Sequence, residues 1–178
     1  MIAQATDAFG GVDILVNNAG LHLMEYAAPC TQLGIEKWRR LLDVNMTGAL
    51  ICAAACRPGM KARCGGVVIN QSSMAAYRPT GAYAVSKLGL NALTMALAAE
   101  FAPDNIRVNG IAPGLVDSEA AMTTLPDKVK LQVVGSQMIK RPGKMTDLAS
   151  MLVFLCSDES SFITGQTMVV DGGATYRP

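Results

Sequence analysis

The chain has 178 residues, 51% of them apolar, and its 15 basic and 14 acidic residues leave a formal net charge of +1. That length supports one domain, residues 1–178, with a real hydrophobic core. Basic residues are scattered, so no nucleic-acid-binding stripe is expected. The longest apolar run, Ala49 to Cys56, falls far short of the ~20 residues of a membrane span. The N-terminus lacks the basic-then-apolar layout of a signal peptide, which makes a cytoplasmic location the default. The cysteines number five, without a C-x-x-C, and His22 is the single histidine, so no metal site is expected.

Met1 to Phe9 reads as a short helix with Ile2, Ala5, Ala8 and Phe9 on one side, ended by Gly10-Gly11. Val12 to Val16 (VDILV) is a strand too apolar to alternate, a composition suited to the centre of a parallel sheet. Asn17-Asn18-Ala19-Gly20 closes it with small residues that let a ligand approach the main chain. A loop from Leu21 to Gly34 follows, with Thr31 placed to cap the next helix. That helix is expected over Ile35 to Gly59, with Trp38, Leu41, Leu42, Val44 and Leu50 on its apolar face. Trp38 reads as packing. Asn45, an asparagine inside an apolar helical stretch, needs a hydrogen-bonding reason to be there.

Pro58-Gly59 and Cys64-Gly65-Gly66 break the chain before a buried strand at Val67 to Ile69. Ser72 and Ser73 follow, and a helix runs from Ala82 to Phe101. Tyr83 and Lys87 stand four apart at its start and share one helix face. A free tyrosine titrates at about 10, and a neighbouring cation favours its phenolate, which suits acid–base work near neutrality. Ile106 to Ile111 is the next strand, ended by Ala112-Pro113-Gly114. Glu119 to Ile139 should form one or two short helices with Pro126 between them. Met122, Leu125, Val133, Val134 and Met138 there could be a substrate wall or simply core. Thr146 or Asp147 caps a helix through Leu155, and Thr167 to Val170 is the last strand before Asp171-Gly172-Gly173. Four strands alternating with helices define an α/β protein with a parallel sheet.

Ser73 with Tyr83-x-x-x-Lys87, together with VDILVNNAG (Val12 to Gly20), DVNMTG around Asn45 and the Pro113-Gly114 segment, resembles the short-chain dehydrogenase/reductase family. The resemblance implies a Rossmann-like doubly wound sheet. Of that fold the chain would carry the C-terminal part, with the first three βα units and their glycine-rich phosphate turn absent. At about 30 residues per unit, that is roughly 60–90 residues. It further implies hydride transfer between NAD or NADP and an alcohol or ketone. Tyr83 would be the acid/base, Lys87 would lower the tyrosine pKa and hold the nicotinamide ribose, and Asn45 would keep a relay water. Ser73 would bind the substrate oxygen, although the loop from Ser73 to Tyr83 is short and leaves Ser72 as the alternative. The implied cofactor contacts are Asn17, Ala19, Gly20, Tyr83, Lys87, Pro113, Gly114, Val116 and Ser118. The helix bearing Tyr83 would pack on its copy in a homo-oligomer, a dimer or tetramer. The contrasting expectation is a truncated, non-catalytic remnant with an open sheet edge at Val12 to Val16.

Overall fold

A computed structural model describes residues 1–78 and 80–175. Helix α1 (Ile2–Phe9) ends at Gly10, whose left-handed φ of 80° lets its N–H bond back to the Thr6 carbonyl. Four strands follow in chain order: β1 (Ile14–Asn17), β2 (Gly66–Gln71), β3 (Ile106–Pro113) and β4 (Thr167–Val170). They form one all-parallel sheet in the order β1-β2-β3-β4, with Val16 opposite Ile69 and Asn70 opposite Gly110.

Strand side chains alternate between faces, and the helices divide accordingly. On one face, Val68, Ile106 and Val108 pack with Ala53, Cys56 and Met60 of α3 (Gly48–Ala62) and Leu97 and Phe101 of α4 (Gly81–Phe101). On the other, Ile69 and Ile111 meet Leu155 and neighbouring residues of α7 (Met145–Cys156). Between β3 and α7 lie α5 (Glu119–Thr124) and α6 (Asp127–Ser136), separated at Pro126 as expected.

Among the described residues no strand pairs with the outer edge of β1. Ile14 and Val16 remain 47% and 40% exposed, although they share the face that α7 covers over β2 and β3. The strand thus has the composition of a central strand and the position of an edge.

Four local expectations are corrected. Thr31 does not cap the next helix. The chain enters α2 (Ile35–Leu42) through Gly34 at φ 81°, without a side-chain cap. Pro58 does not end the following helix, since α3 continues to Ala62. A proline leaves the carbonyl four residues back without a donor, and Ala54 and Pro58 are both exposed, so water can serve that carbonyl. Lys144 rather than Thr146 or Asp147 is the cap residue of α7. Asp147 instead accepts the Lys144 N–H at 2.7 Å and the Arg141 guanidinium at 2.7 Å. That bond and the backbone bond hold its carboxyl down at about 2. Leu50, expected on the apolar face, points to solvent, whereas Leu41 is fully buried and Trp38 packs on the cluster around it.

Candidate active site

Loops at the carboxyl ends of β1, β2 and β3 converge on a cavity of about 350 Å³. This is where open α/β sheets present their crevices. The start of α4 forms one wall with Tyr83 and Lys87. Ser73 and Gln71 come from the end of β2, Asn18, Gly20 and His22 from the loop after β1, and Pro113, Gly114, Val116 and Ser118 from the end of β3. Leu125, Val129 and Val133 of the α5–α6 segment close it opposite. Met122 and Met138 do not line it, and Met138 is 67% exposed.

Lys87 is 4% exposed, with Nζ donating to the Gln71 carbonyl at 2.8 Å. Among the described residues it forms no ion pair. Burial without a counter-charge holds its pKa down at about 8. Nζ lies 5.8 Å from the centre of the Tyr83 ring. Burial pushes the Tyr83 phenol up, and a hydrogen bond with the Ser73 side chain opposes the rise. The expectation that Lys87 would dominate and depress the tyrosine is thereby corrected for this structure. The ammonium sits against the ring, and loss of water around the phenol is the larger effect.

The two serines are separated by their partners. Ser73 caps the short 3-10 turn Met74–Tyr77, accepting the Ala75 N–H at 3.1 Å, and meets Tyr83. Ser72 turns inward, donating to Asn91 Oδ1 at 2.5 Å, with the Lys87 carbonyl 3.3 Å from the same Oγ.

Asn45 lies in a single π-helical turn, Asp43–Thr47, joining α2 to α3. Its Oδ1 accepts the Leu21 N–H at 2.8 Å, and its Nδ2 donates to Ser86 Oγ at 3.0 Å. Ser86 Oγ in turn donates to the Tyr83 carbonyl at 2.7 Å. The asparagine therefore ties the loop after β1 to the helix bearing Tyr83, which is the hydrogen-bonding reason its position demanded. Asn45 does not line the cavity. A Cβ placed on Gly20 would meet Asn45 Oδ1 and Lys87 Nζ, each at 3.3 Å, so only glycine leaves that corner open.

The remaining expected positions divide. Asn17 and Ala19 do not line the cavity. Asn17 Nδ2 donates to Asn70 Oδ1 at 2.9 Å and to the Ala49 carbonyl at 3.3 Å, and Asn70 continues to Thr94 Oγ1 at 2.9 Å. This buried polar chain clamps β1, β2, α3 and α4. Gly114 allows β3 to pass close to the end of β4, because a Cβ there would strike Asp171 at 2.7 Å. Ser118 lines the cavity and also caps α5, accepting the Ala121 N–H at 3.2 Å. Asn18 lines the cavity as part of the turn expected to admit a ligand, while His22 and Gln71 were not anticipated. Asn70 could have been, as an asparagine ending an otherwise apolar strand.

A parallel α/β sheet of Rossmann type, with serine, tyrosine and lysine meeting at its carboxyl end, defines the class of this protein. A family model described as "Enoyl-(Acyl carrier protein) reductase" matches residues 1–175. An uncharacterized oxidoreductase of Mycobacterium tuberculosis is 39% identical over 177 residues, covering 99% of this chain and 71% of that protein. The Dehydrogenase/reductase SDR family member 4 of Sus scrofa is 39% identical over 181 residues, covering 99% of this chain and 64% of that protein. Among solved structures, a 7 alpha-hydroxysteroid dehydrogenase complexed with NADH and 7-oxo glycochenodeoxycholic acid matches with a TM-score of 0.89 at 32% identity. That match covers 97% of this chain and 67% of the other. The chain belongs to the short-chain dehydrogenase/reductase family, and it spans 64% to 71% of the length of these relatives.

Proposed function

We propose that the chain carries the catalytic part of an NAD- or NADP-dependent oxidoreductase that interconverts an alcohol and a ketone. One observation supports this above the others. The Tyr83 hydroxyl is bonded to Ser73 beside a buried, unpaired Lys87, all three lining one cavity. The open corner at Gly20 and the lining at Pro113 and Gly114 suit the flat end of a nicotinamide nucleotide. When bound, that group supplies or takes the hydride.

The chain's own residues handle the oxygen and the proton. Ser73 hydrogen-bonds the substrate oxygen and orients it toward Tyr83. With its phenol pushed up, Tyr83 holds its proton at neutral pH and gives it to that oxygen in reduction. In oxidation it takes the proton back, and the Lys87 ammonium supports the phenolate so formed. Lys87 also holds the ribose hydroxyls. Asn45 fixes the spacing of the loop after β1 and α4 and keeps a relay water near the lysine. Asn17 and Ala19 act as supports behind Gly20, while Val116 and Ser118 border the nicotinamide.

We read the chain as the C-terminal part of the family fold, in line with the share of its relatives that it covers. An oligomer is part of this reading. Val85, Leu88 and Met95 form an exposed apolar stripe on α4 beside exposed Leu50 and Ile51 of α3. The described cysteines are all free, which fits a reducing cytoplasm, and no helix among the described residues is long and apolar enough to cross a membrane.

A second reading, a folded chain without catalysis, is favoured by one observation. The sequence has no glycine-rich turn between a strand and a helix to cradle a dinucleotide diphosphate. Titration with NADH and NADPH, followed by nicotinamide fluorescence, separates the two. Saturable binding with turnover of simple ketones supports the oxidoreductase. Absence of binding by a folded sample favours the second reading.

A further inference from the structure

We propose that His22 is a substrate-selecting residue, and that the substrate is an apolar ketone or alcohol with a hydrogen-bond-accepting oxygen at the end away from the reacting carbon. The inference rests on the oxidoreductase reading and goes beyond it. His22 lines the same cavity as Tyr83, Ser73 and Lys87, and no catalytic role falls to it. Its ring Nδ1 accepts the Met24 N–H at 3.4 Å. A backbone N–H can only donate, so Nδ1 is the acceptor in that bond and Nε2–H is left as the ring's donor toward a ligand. The imidazole therefore offers a donor and no second acceptor.

His22 is itself exposed, and the segment that carries it is fixed on both sides. The preceding residue, Leu21, is pinned through its N–H to the buried Asn45, and the 3-10 turn that His22 caps is anchored by Tyr26, 3% exposed. Leu21, Leu23, Leu125, Val129 and Val133 give the same cavity a mainly apolar lining. Among the described residues no Asp, Glu or Arg lines the cavity. A cationic substrate would find no counter-charge there, and Lys87 would repel it. That lining favours an aliphatic body, with one oxygen directed to Tyr83 and another to His22.

The test uses three ketones of one chain length that differ only at the far end: 9-oxodecanoate, 2-decanone and 10-amino-2-decanone. His22 is the only histidine, so in the untagged chain a single imidazole gives a single set of ring NMR signals. With NADH or NADPH present, 9-oxodecanoate should move those signals and 2-decanone should not. The KM for 9-oxodecanoate should be about tenfold below that for 2-decanone, the value of one good hydrogen bond, and the amine should be the poorest. In His22→Ala the tenfold ratio should collapse toward one, and His22→Gln, which keeps an N–H donor, should restore part of it. A ratio near one in the native chain, or a tenfold ratio that survives His22→Ala, overturns the proposal, as does a sample whose imidazole signals ignore all three ketones. Shifted signals without turnover support the role of His22 and overturn the oxidoreductase reading instead.

Discussion

Helix α4 carries buried charge at both ends, and the two ends are built on opposite plans. Near its C-terminus Asp104, with a side chain 4% exposed, receives Arg57 Nε at 2.7 Å and Lys61 Nζ at 2.8 Å. Arg57 also reaches Glu100 at 2.6 Å and lies 4.6 Å over the Phe101 ring. Hydrogen bonds from Lys61 and Arg57 hold the Asp104 carboxyl below its ordinary range. Near the N-terminus Lys87 is equally buried, yet it has one carbonyl and no carboxylate, and its pKa falls to about 8. Paired charge closes off the chemistry of a group. Charge left with a single neutral acceptor keeps a proton near the point of exchange, and such groups gather at functional sites.

This contrast can be broken in several places, and the largest effect falls on the acid/base. Tyr83→Phe removes the only proton carrier bonded to Ser73. Turnover should fall by about 10²–10⁴-fold with an unchanged circular dichroism spectrum, the range expected for a general acid. Retained turnover in a folded variant would remove Tyr83 from its role. Next come the two serines, compared side by side. Ser73→Ala should lower kcat by about tenfold or more, since in the proposed mechanism that hydroxyl binds the substrate oxygen. Ser72→Ala should mainly lower the melting temperature, because its hydroxyl serves Asn91 and the Lys87 carbonyl. The reverse pattern would reassign the site.

A smaller effect is expected for Gly20→Ala, which pushes a methyl against both Asn45 and Lys87. Cofactor KM should rise several-fold, roughly the cost of a 1 kcal/mol strain. Asp104→Asn should leave turnover intact and lower the melting temperature, because Lys61 loses its carboxylate and Arg57 keeps only Glu100. The native Asp104 carboxyl has a depressed pKa, so its stabilisation is fully present above the ordinary aspartate range and is lost as pH falls through the folded-state value. Asp104→Asn should therefore flatten the acid limb of the stability profile, as read by urea denaturation at a series of pH values.

Legibility followed distance along the chain. The Tyr83–Lys87 pair could be read because four residues is one helical turn, and all four strands could be read from apolar runs of β length. The bonds of Asn45 could not, since Leu21 and Ser86 stand 24 and 41 residues away. The choice between Ser72 and Ser73 depends on which hydroxyl faces Asn91 in α4, a packing fact absent from local spacing. For β1, composition suits a sheet's centre and carries no strand order, and the open edge expected at Val12 to Val16 is where the sheet places it. Pro58 misled for a related reason. Its cost depends on whether the orphaned carbonyl meets water, and that is known only once the exposed side of α3 is known.

The central claim is that Lys87 is held charged against its own burial for the sake of the site. The direct test is the unfolding free energy of the native chain and of Lys87→Met, measured from pH 7 to 10.5. The folded-state pKa of about 8 lies below the ordinary lysine value of 10.5, so the unfolded chain binds the extra proton between them. Lys87→Met should be the more stable at pH 7, by up to about 3 kcal/mol, and inactive. The gap should close as pH rises through 8 toward 10.5. A variant less stable than the native chain at pH 7, or a gap that stays constant with pH, would contradict the account.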